Sequence, residues 1–265
     1  MRPNSVKNAW KNGKQTIGGW ISCDSVYVAE MIGRTGFDWL CLDMQHGLLD
    51  YNDVRDMLPA ISLSDTMPFV RVPWNEPYIM MKVLDAGAYG VIVPLVNNRE
   101  EAEKAVAACR YPPDGMRSMG PIRAGMYGGR GYVQHANDEI AVIAMIETAE
   151  ALENLDEICS TPGLDAVYIG PSDLAYAIGL PPRGDNDDPK HVETVHHIYD
   201  TARKHGIHVG AHTGSLEFTK RWLKHGFDMV MLGSDTAWMA KLAGQELREA
   251  RQETGVERAP RGEDY

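Results

Sequence analysis

Eight short apolar runs, each followed by a stretch with a helical pattern, constrain the fold of this chain more than any other feature. Several runs are apolar throughout, which is typical of strands in a parallel sheet that is covered on both faces. The predicted strands are residues 16–22, 37–43, 68–72, 90–95, 140–147, 166–170, 208–212 and 228–233. Right-handed crossovers close eight such units more naturally into a barrel than into an open sheet. We therefore predict an α/β fold, a (β/α)8 TIM barrel.

The chain length and two long connections are consistent with one barrel domain that carries insertions. The chain has 265 residues and is 44% hydrophobic, and single α/β barrels commonly have about 250 residues. A doubly wound open sheet is the alternative, but no glycine-rich dinucleotide loop follows the first predicted strand. Residues 111–138 are rich in glycine and proline, and residues 179–190 form an acidic loop; such long connections are usually functional or mobile. We predict a single domain over residues 1–265, with a polar tail from about residue 251.

The net charge and the cysteine placement exclude several classes of partner. The formal net charge is −11 and no basic stripe is present, which disfavours binding to nucleic acid or to an anionic membrane. An anionic substrate would therefore be met by a local arginine or a metal ion. The four cysteines are scattered, the first residues are polar, and no apolar run approaches the length that spans a bilayer. We expect a cytoplasmic protein that acts on a small molecule.

Glu147 and Asp173 follow two neighbouring predicted strands. They stand at the barrel face where α/β barrels build their active sites. Two carboxylates with water molecules suit Mg²⁺ or Mn²⁺, which prefer oxygen ligands and keep positions open for a substrate. The alternative is that each carboxylate caps the helix that follows it. The spacing alone leaves both interpretations open.

Arg71 ends an apolar run, and His46 follows the second predicted strand. A charged side chain in such a run is costly unless it is paired. Arg71 is thus expected either to form a salt bridge or to donate to an anionic substrate or a developing oxyanion. A lone histidine is more often structural, but His46 shares the predicted barrel mouth with Arg71 and two carboxylates. These neighbours favour the interpretation of His46 as a general base.

Two absences from the sequence narrow the chemistry further. No predicted strand ends in a lysine, and a Schiff-base mechanism requires a lysine in the site. No Gly-x-Ser-x-Gly motif occurs, so the nucleophile elbow of a serine hydrolase is not indicated. A metal ion is therefore the favoured electron sink.

Six segments occur in an order that is more specific than any one of them. They are Gly-Phe-Asp-Trp-Leu-Cys-Leu-Asp-Met-Gln-His at 36–46, Val-Arg-Val at 70–72, Leu-Asp-Ala-Gly-Ala at 84–88, Arg-Tyr-Pro-Pro-Asp-Gly-Met-Arg at 110–117, Met-Ile-Glu-Thr at 145–148 and Tyr-Ile-Gly-Pro-Ser-Asp-Leu at 168–174. With these segments the chain resembles the HpcH/HpaI family of metal-dependent (class II) pyruvate aldolases, over roughly residues 14–245.

The resemblance implies a role for each residue at the predicted mouth. Glu147 and Asp173 would bind the divalent metal, which would be Mg²⁺, Mn²⁺ or Co²⁺. His46 would act as the base, and Asp85 would be the partner that raises its basicity. Arg71 would stabilise the enolate oxygen. The backbone of Ser172 and Asp173 would receive the pyruvate carboxylate, and Trp20 would line the acceptor side of the pocket.

Four positions depart from the family pattern. Gln45 stands where many members have a glutamate, and Met145 stands where many have a glutamine. His212 and Ser234 stand where members often carry apolar side chains. We expect His212 and Ser234 to join Trp20 in binding the acceptor aldehyde, whose identity these departures leave open.

The activity implied is that of a carbon–carbon lyase. It would reversibly cleave 4-hydroxy-2-oxo acids to pyruvate and an aldehyde through a metal-bound enolate. Family members usually assemble as hexamers that exchange helices, so a homo-oligomer is expected. Two rivals remain open. One is a related barrel lyase that acts on an acyl-CoA or decarboxylates oxaloacetate, and the other is a non-catalytic barrel that binds a 2-oxo acid.

Overall fold

Eight parallel strands close into a barrel in chain order, with helices around the outside, in a computed structural model that describes residues 1–257. The strands are β1 Thr16–Ile21, β2 Trp39–Asp43, β3 Met67–Arg71, β4 Gly90–Val93, β5 Ala141–Ile146, β6 Ala166–Ile169, β7 His208–Ala211 and β8 Met229–Ser234. The helices are α1 Ser5–Lys11, α2 Val26–Gly33, α3 Tyr51–Ile61, α4 Pro77–Ala86, α5 Arg99–Cys109, α6 Ile122–Gly128, α7 Tyr132–Glu139, α8 Ala149–Glu153, α9 Leu155–Cys159, α10 Pro171–Ala177, α11 Pro189–Lys204, α12 Leu216–His225 and α13 Asp235–Thr254. The predicted (β/α)8 barrel is confirmed, and an open sheet is excluded.

All eight predicted strands are present, and the differences lie at their ends. The fourth was expected to continue to Leu95, but β4 stops at Val93. Leu95 adopts a left-handed φ of 53°, which no strand residue can keep. The fifth was expected to include Glu147, which instead follows β5 directly. The apolar runs located the strands, and local backbone geometry set where they end.

Two of the three stretches that were expected to be long loops or a tail contain helix, and the acidic loop does not. Residues 111–138 contain α6 and most of α7, separated by Gly129 and Gly131, which both have positive φ. These glycines obscured the helical pattern on either side. The acidic loop has no helix or strand between residues 179 and 188. Helix α13 continues to Thr254, so the chain is still helical where the polar tail was expected to begin, and residues 258–265 lie outside the described part.

Aromatic side chains fill the barrel interior because neighbouring strands place glycines opposite them. Trp39 lies where a Cβ on Gly18 would overlap its ring, and Tyr168 lies in the same way over Gly210. Trp20 stacks on Tyr168, with ring centroids 5.8 Å apart. The interior is therefore a packed core that leaves space for a ligand only where the strands end.

Helix α1 closes the amino end of the barrel, the face at which the strands begin. Its Val6 and Trp10 pack on the interior core. The indole N–H of Trp10 donates to Thr16 Oγ1 and to the carbonyl of Asp228, both at 3.1 Å. Lys7 forms a salt bridge of 2.7 Å with Asp165. Any small-molecule site within the barrel must therefore open at the carboxyl end.

Helix α13 packs little on its own chain. Only Asp235 is buried among its residues. Met239, Leu242 and Leu247 are exposed apolar side chains on this helix. Within residues 1–257, no helix is both long and apolar enough to cross a membrane.

Candidate active site

A cavity of about 300 Å³ opens at the carboxyl end of the barrel. It brings together nearly all of the residues predicted to have a role. Its lining residues are Trp20, Ser22, Asp43, His46, Arg71, Met145, Glu147, Gly170, Pro171, Ser172, Asp173, His212, Met231 and Ser234. A larger, mainly apolar hollow of about 530 Å³ lies against Phe37 and Trp238. Its one carboxylate, Asp38, accepts the N–H of Ile17, whereas several ionisable side chains converge on the smaller cavity, which is the candidate site.

Glu147 is a buried carboxylate whose charge is poorly compensated. Burial raises its pKa to about 7, and the negative charge of Asp173 acts in the same direction. The N–H of Leu95 and the charge of Arg71 only partly oppose this rise. Asp173 lies in the first turn of α10 and is exposed to solvent. A cation between these carboxylates would remove the cost of ionising Glu147.

Two local backbone features shape the space around Glu147. The left-handed Leu95 turns its N–H towards Glu147 Oε1, at 2.9 Å. Gly170, the residue before α10, lies so close that a Cβ there would overlap Glu147 Oε2. A glycine at this position therefore lets the carboxylate lie directly beside the start of the helix that carries Asp173.

Asp43 and Arg71 form a buried ion pair on adjacent strands. They are partners in the β2–β3 register. Arg71 Nε donates to Asp43 Oδ1 at 2.8 Å, and Nη2 donates to Oδ2 at 2.6 Å. Burial would raise the pKa of Asp43, but the hydrogen bonds and charge of Arg71 lower it overall. The predicted salt bridge of Arg71 is thus formed, and Arg71 also lines the cavity, where its donation to a substrate stays a prediction.

His46 lies on the loop after β2, on the exposed side of the cavity. Its backbone N–H, and that of Gln45, donate to Asp43 Oδ1, at 3.3 and 3.1 Å. The side chain of His46 is therefore exposed at the cavity, while its backbone is held by Asp43.

Polar atoms without hydrogen-bond partners lie at the floor of the cavity and in the core beneath it. The ring of His212 lies edge-on to Trp20, with centroids 4.9 Å apart. Within residues 1–257, Trp20 Nε1, His212 Nδ1 and the Tyr168 hydroxyl are buried without a hydrogen bond. Burial, and then the charge of Arg71, lower the pKa of His212 to about 4. His212 is therefore a neutral imidazole at neutral pH.

Ser172 and Ser234 both line the cavity, the first just after β6 and the second at the end of β8. Ser172 is half-buried in the first turn of α10, beside Asp173. Ser234 is the residue before α13, and its hydroxyl accepts the N–H of Ala237 at 3.3 Å. The Ser234 hydroxyl thus caps a helix, although the residue also lines the cavity.

Asp85 is the one predicted residue that does not reach the cavity within one protomer. It lies in the last turn of α4, which leads into the start of β4, so its side chain is near the amino end of the barrel. Its Oδ1 accepts a hydrogen bond from Arg117 Nη2 at 2.7 Å. The expected contact between Asp85 and His46 is therefore not formed inside a single chain.

Known proteins with the same architecture decide the family. The family model for HpcH/HpaI aldolase/citrate lyase matches residues 16–241. The chain belongs to this family. It is 41% identical to a hydroxypyruvate/pyruvate aldolase of Rhizorhabdus wittichii, over 94% of this chain and 99% of that protein. It is 37% identical to a 5-keto-4-deoxy-D-glucarate aldolase of Escherichia coli, over 88% of this chain and 91% of that protein.

A solved structure supports the same assignment. A HpcH/HpaI aldolase/citrate lyase family protein from Burkholderia cenocepacia superposes with a TM-score of 0.87 and 32% identity, covering 94% of this chain and 99% of that one. The predicted family and the predicted carbon–carbon lyase class are confirmed by these matches.

Sequence reasoning gave no role to Asp43, which lines this aldolase's cavity, or to Leu95, whose N–H donates to Glu147. Asp43 stands at the end of an apolar strand, as Arg71 does, and that shared position was the available signal. Leu95 gave no signal, because nothing in its residue type indicates a left-handed conformation.

Proposed function

We propose that this chain is a divalent-metal-dependent aldolase that reversibly cleaves 4-hydroxy-2-oxo acids to pyruvate and an aldehyde. One observation carries the proposal. The buried, poorly compensated Glu147 and the neighbouring carboxylate Asp173 share a small cavity with the paired Arg71 and the exposed His46. No lysine of the described chain lines this cavity, which favours a metal over a Schiff base.

The residues present fit a divalent metal with few protein ligands. Glu147 and Asp173 would hold it, and no group of three or more histidine, cysteine, aspartate or glutamate side chains in residues 1–257 is arranged to hold a metal. Mg²⁺ and Mn²⁺ suit such a site, because they accept carboxylate oxygens and retain several waters, and Co²⁺ would be a substitute. When bound, the metal would supply Lewis-acid stabilisation of developing negative charge.

The side chains of this protein would perform the remaining steps. His46 accepts the proton of the C4 hydroxyl as the C3–C4 bond breaks. The aldehyde leaves, and the electron pair of the broken bond forms the enolate of pyruvate. Arg71 donates to the enolate oxygen, and the N–H groups of Ser172 and Asp173 in the first turn of α10 receive the carboxylate. Protonation at C3 then yields pyruvate.

The opposite side of the cavity would select the aldehyde. Trp20 offers an apolar wall, and His212 and Ser234 offer polar groups in the same cavity. Because His212 is neutral, it can exchange a hydrogen bond with a hydroxyl group but provides no positive charge for a second carboxylate. Arg71 is already neutralised by Asp43. We therefore expect hydroxylated aldehydes to be better acceptors than alkyl aldehydes.

The predicted role of Asp85 requires a second copy of the chain. Asp85 and His46 lie at opposite ends of one barrel, so only a neighbouring subunit could bring them together. The exposed apolar side chains of α13 support assembly, since an amphipathic helix with little contact to its own chain favours burial against a partner. A hexamer with exchanged helices is the expected form.

Mixed oligomers test this arrangement of subunits. His46→Ala and Asp85→Ala should each be inactive or nearly so. When they are unfolded together and refolded, some interfaces would unite an intact His46 with an intact Asp85, and part of the activity should return. If the mixture stays as inactive as its components, Asp85 does not act across an interface.

Two rivals make different predictions about chemistry. An acyl-CoA lyase would need basic groups for the CoA phosphates, and the acidic loop at residues 179–190 near the mouth argues against it. Decarboxylation of oxaloacetate would release carbon dioxide without any aldehyde. A binding protein would retain its ligand and lose nothing when His46 is replaced.

The proposal is tested by incubating the purified protein with pyruvate and a panel of aldehydes, with Mg²⁺, Mn²⁺ or Co²⁺. Carbon–carbon bond formation is followed by mass spectrometry. EDTA should abolish product, and added metal should restore it. A borohydride-trapped lysine adduct with pyruvate, or activity that is unaffected by EDTA, would contradict the metal mechanism.

A further inference from the structure

One carboxylate at the floor of the cavity holds two different parts of the site. Asp43 Oδ1 accepts three hydrogen bonds, from Arg71 Nε at 2.8 Å and from the N–H groups of Gln45 and His46 at 3.1 and 3.3 Å. Asp43 Oδ2 accepts a fourth from Arg71 Nη2 at 2.6 Å. The side chains of Asp43 and Arg71 are both almost wholly buried. Arg71 and the backbone of the loop that carries His46 are thus hydrogen-bonded to the same carboxylate.

The ion pair leaves one face of the arginine free. Nη1 of Arg71 has only a weak contact, with Met145 Sδ at 3.9 Å. Because Nε and Nη2 are both fixed by Asp43, the planar guanidinium has a single orientation, and the N–H groups of Nη1 and the second N–H of Nη2 are left for a ligand oxygen. The carboxylate also neutralises Arg71, which would otherwise be an unpaired buried cation.

The loop after β2 is closely fitted to the same residue. A Cβ added at Gly47 would overlap the carbonyl oxygen of Asp43. The N–H of Met44 donates to the carbonyl of Arg71 at 3.0 Å. The path from Asp43 to Gly47 therefore turns tightly over the Asp43–Arg71 pair, and the position of His46 depends on that turn.

We propose that Asp43 is the positioning residue that fixes Arg71 and the His46 loop (residues 44–47) relative to each other. It sets the direction of the Arg71 donor and the place of the His46 backbone, and it takes no proton in the reaction. The inference rests on the proposed function, in which Arg71 donates to the enolate oxygen. It goes further, because it makes one buried carboxylate responsible for the relative geometry of both groups.

Asp43→Asn tests this role with little change in shape. An amide has one accepting oxygen, so its NH₂ group must face an Arg71 donor in either orientation, and in one orientation it also faces the backbone N–H groups of Gln45 and His46. Two readouts are needed. Exchange of the pyruvate methyl protons with D₂O, followed by NMR, reports enolate formation without an aldehyde. Retro-aldol cleavage reports the whole reaction. We expect each to fall about 50-fold or more per folded protein.

Asp228 provides a matched control at the other end of the barrel. It is also a buried carboxylate that pairs with an arginine, Arg203 at 2.9 Å, and accepts a backbone N–H, that of Val209 at 2.9 Å. Both Asp228→Asn and Asp43→Asn should lower the melting temperature, but Asp228→Asn should leave exchange and cleavage per folded protein within about twofold of the native rates.

A double variant separates a positioning role of Asp43 from general structural damage. On the Arg71→Gln background, Asp43→Asn should reduce pyruvate exchange by less than about twofold, because the donor that it directs is already gone. The same fold loss on both backgrounds would overturn the proposal, as would native-like exchange and cleavage in folded Asp43→Asn.

Gly47→Ala keeps the proposal testable if Asp43→Asn does not fold. It displaces the loop while the Asp43–Arg71 pair stays in place. Cleavage should fall about tenfold and exchange should change much less. Equal losses in both, or no loss in either, would contradict a separate fixing of the loop by Asp43. If the native protein itself neither exchanges nor cleaves, it is the proposed function that fails.

Discussion

The two ends of the barrel bury charged side chains in different ways. At the amino end, Asp165 is shared by Lys7 and Arg110, at 2.7 and 2.9 Å, and helix α1 covers the group. At the carboxyl end, Asp43 and Arg71 are paired, but Glu147 is buried next to Asp173 with a pKa raised to about 7. At the amino end the buried charges have partners of opposite sign. At the carboxyl end negative charge is in excess.

The difference separates stability from function. Buried ions that have partners hold α1 on the barrel, and their removal would leave uncompensated charge. A buried carboxylate that lacks a partner costs stability, and such perturbed groups in a cavity commonly mark functional sites. The imbalance at the carboxyl end is thus what a divalent cation would correct. The predictions below change one end and leave the other as the control.

The largest expected effect is on turnover. His46→Ala should lower the rate of aldol cleavage by about 100-fold or more, the usual scale for a general base, while binding of pyruvate and metal survives. His208 lies at the amino end, with its ring 5.1 Å from that of Trp10, and His208→Ala should retain native turnover per folded protein. Steady-state kinetics of both variants check this prediction. Full activity in His46→Ala would remove it from the mechanism.

The next effect is on stability, and its sign should differ between the ends. Asp165→Asn removes the shared partner of Lys7 and Arg110 and should lower the free energy of unfolding by about 3 kcal/mol. Glu147→Gln removes a charge that is buried at a cost. It should raise the free energy of unfolding of the metal-free protein at pH 8 by about 2 kcal/mol, while abolishing activity.

The direction of the stability change in Glu147→Gln follows from the raised pKa of Glu147. The folded state keeps the proton to a higher pH than the unfolded state does, so stability falls as the pH rises from about 4.5 to about 7. The advantage of Glu147→Gln should therefore appear across this range and persist above it. Urea unfolding at pH 5 and pH 8 measures it. A destabilised Glu147→Gln at pH 8 would show that the carboxylate is well compensated.

A smaller effect concerns the choice of aldehyde. His212→Leu with Ser234→Val should reduce the preference for glyceraldehyde over propanal by about tenfold, because a polar contact that is lost costs about 1–3 kcal/mol. Pyruvate handling should be unchanged. The ratio of kcat/KM values for the two aldehydes is the measurement. An unaltered ratio would remove these two side chains from the acceptor pocket and leave the metal mechanism intact.

The sequence predicted those features that depend on residue type and order. Apolar runs located all eight strands, and the polar residues after them placed Glu147, Asp173, Arg71 and His46 at one mouth, because parallel strands in a barrel end at the same face.

Features that depend on three-dimensional geometry were not predictable in the same way. Asp43 is a side-chain partner set by the β2–β3 register, and the turn at Leu95 is a backbone conformation. Asp85 was assigned from the resemblance, but its place in the last turn of α4 puts it at the amino end.

The response of the melting temperature to metal and pH tests the central claim most directly. The claim is that the carboxyl end holds a buried, poorly compensated carboxylate, Glu147, whose charge a divalent cation shared with Asp173 would balance. Mn²⁺ at a fixed concentration should raise the melting temperature of the native protein, and by more at pH 8 than at pH 6, because Glu147 must be ionised to bind it. Glu147→Gln should show little or no shift at either pH. The account would be contradicted by a native protein that does not respond to Mn²⁺, or by an equal shift in Glu147→Gln.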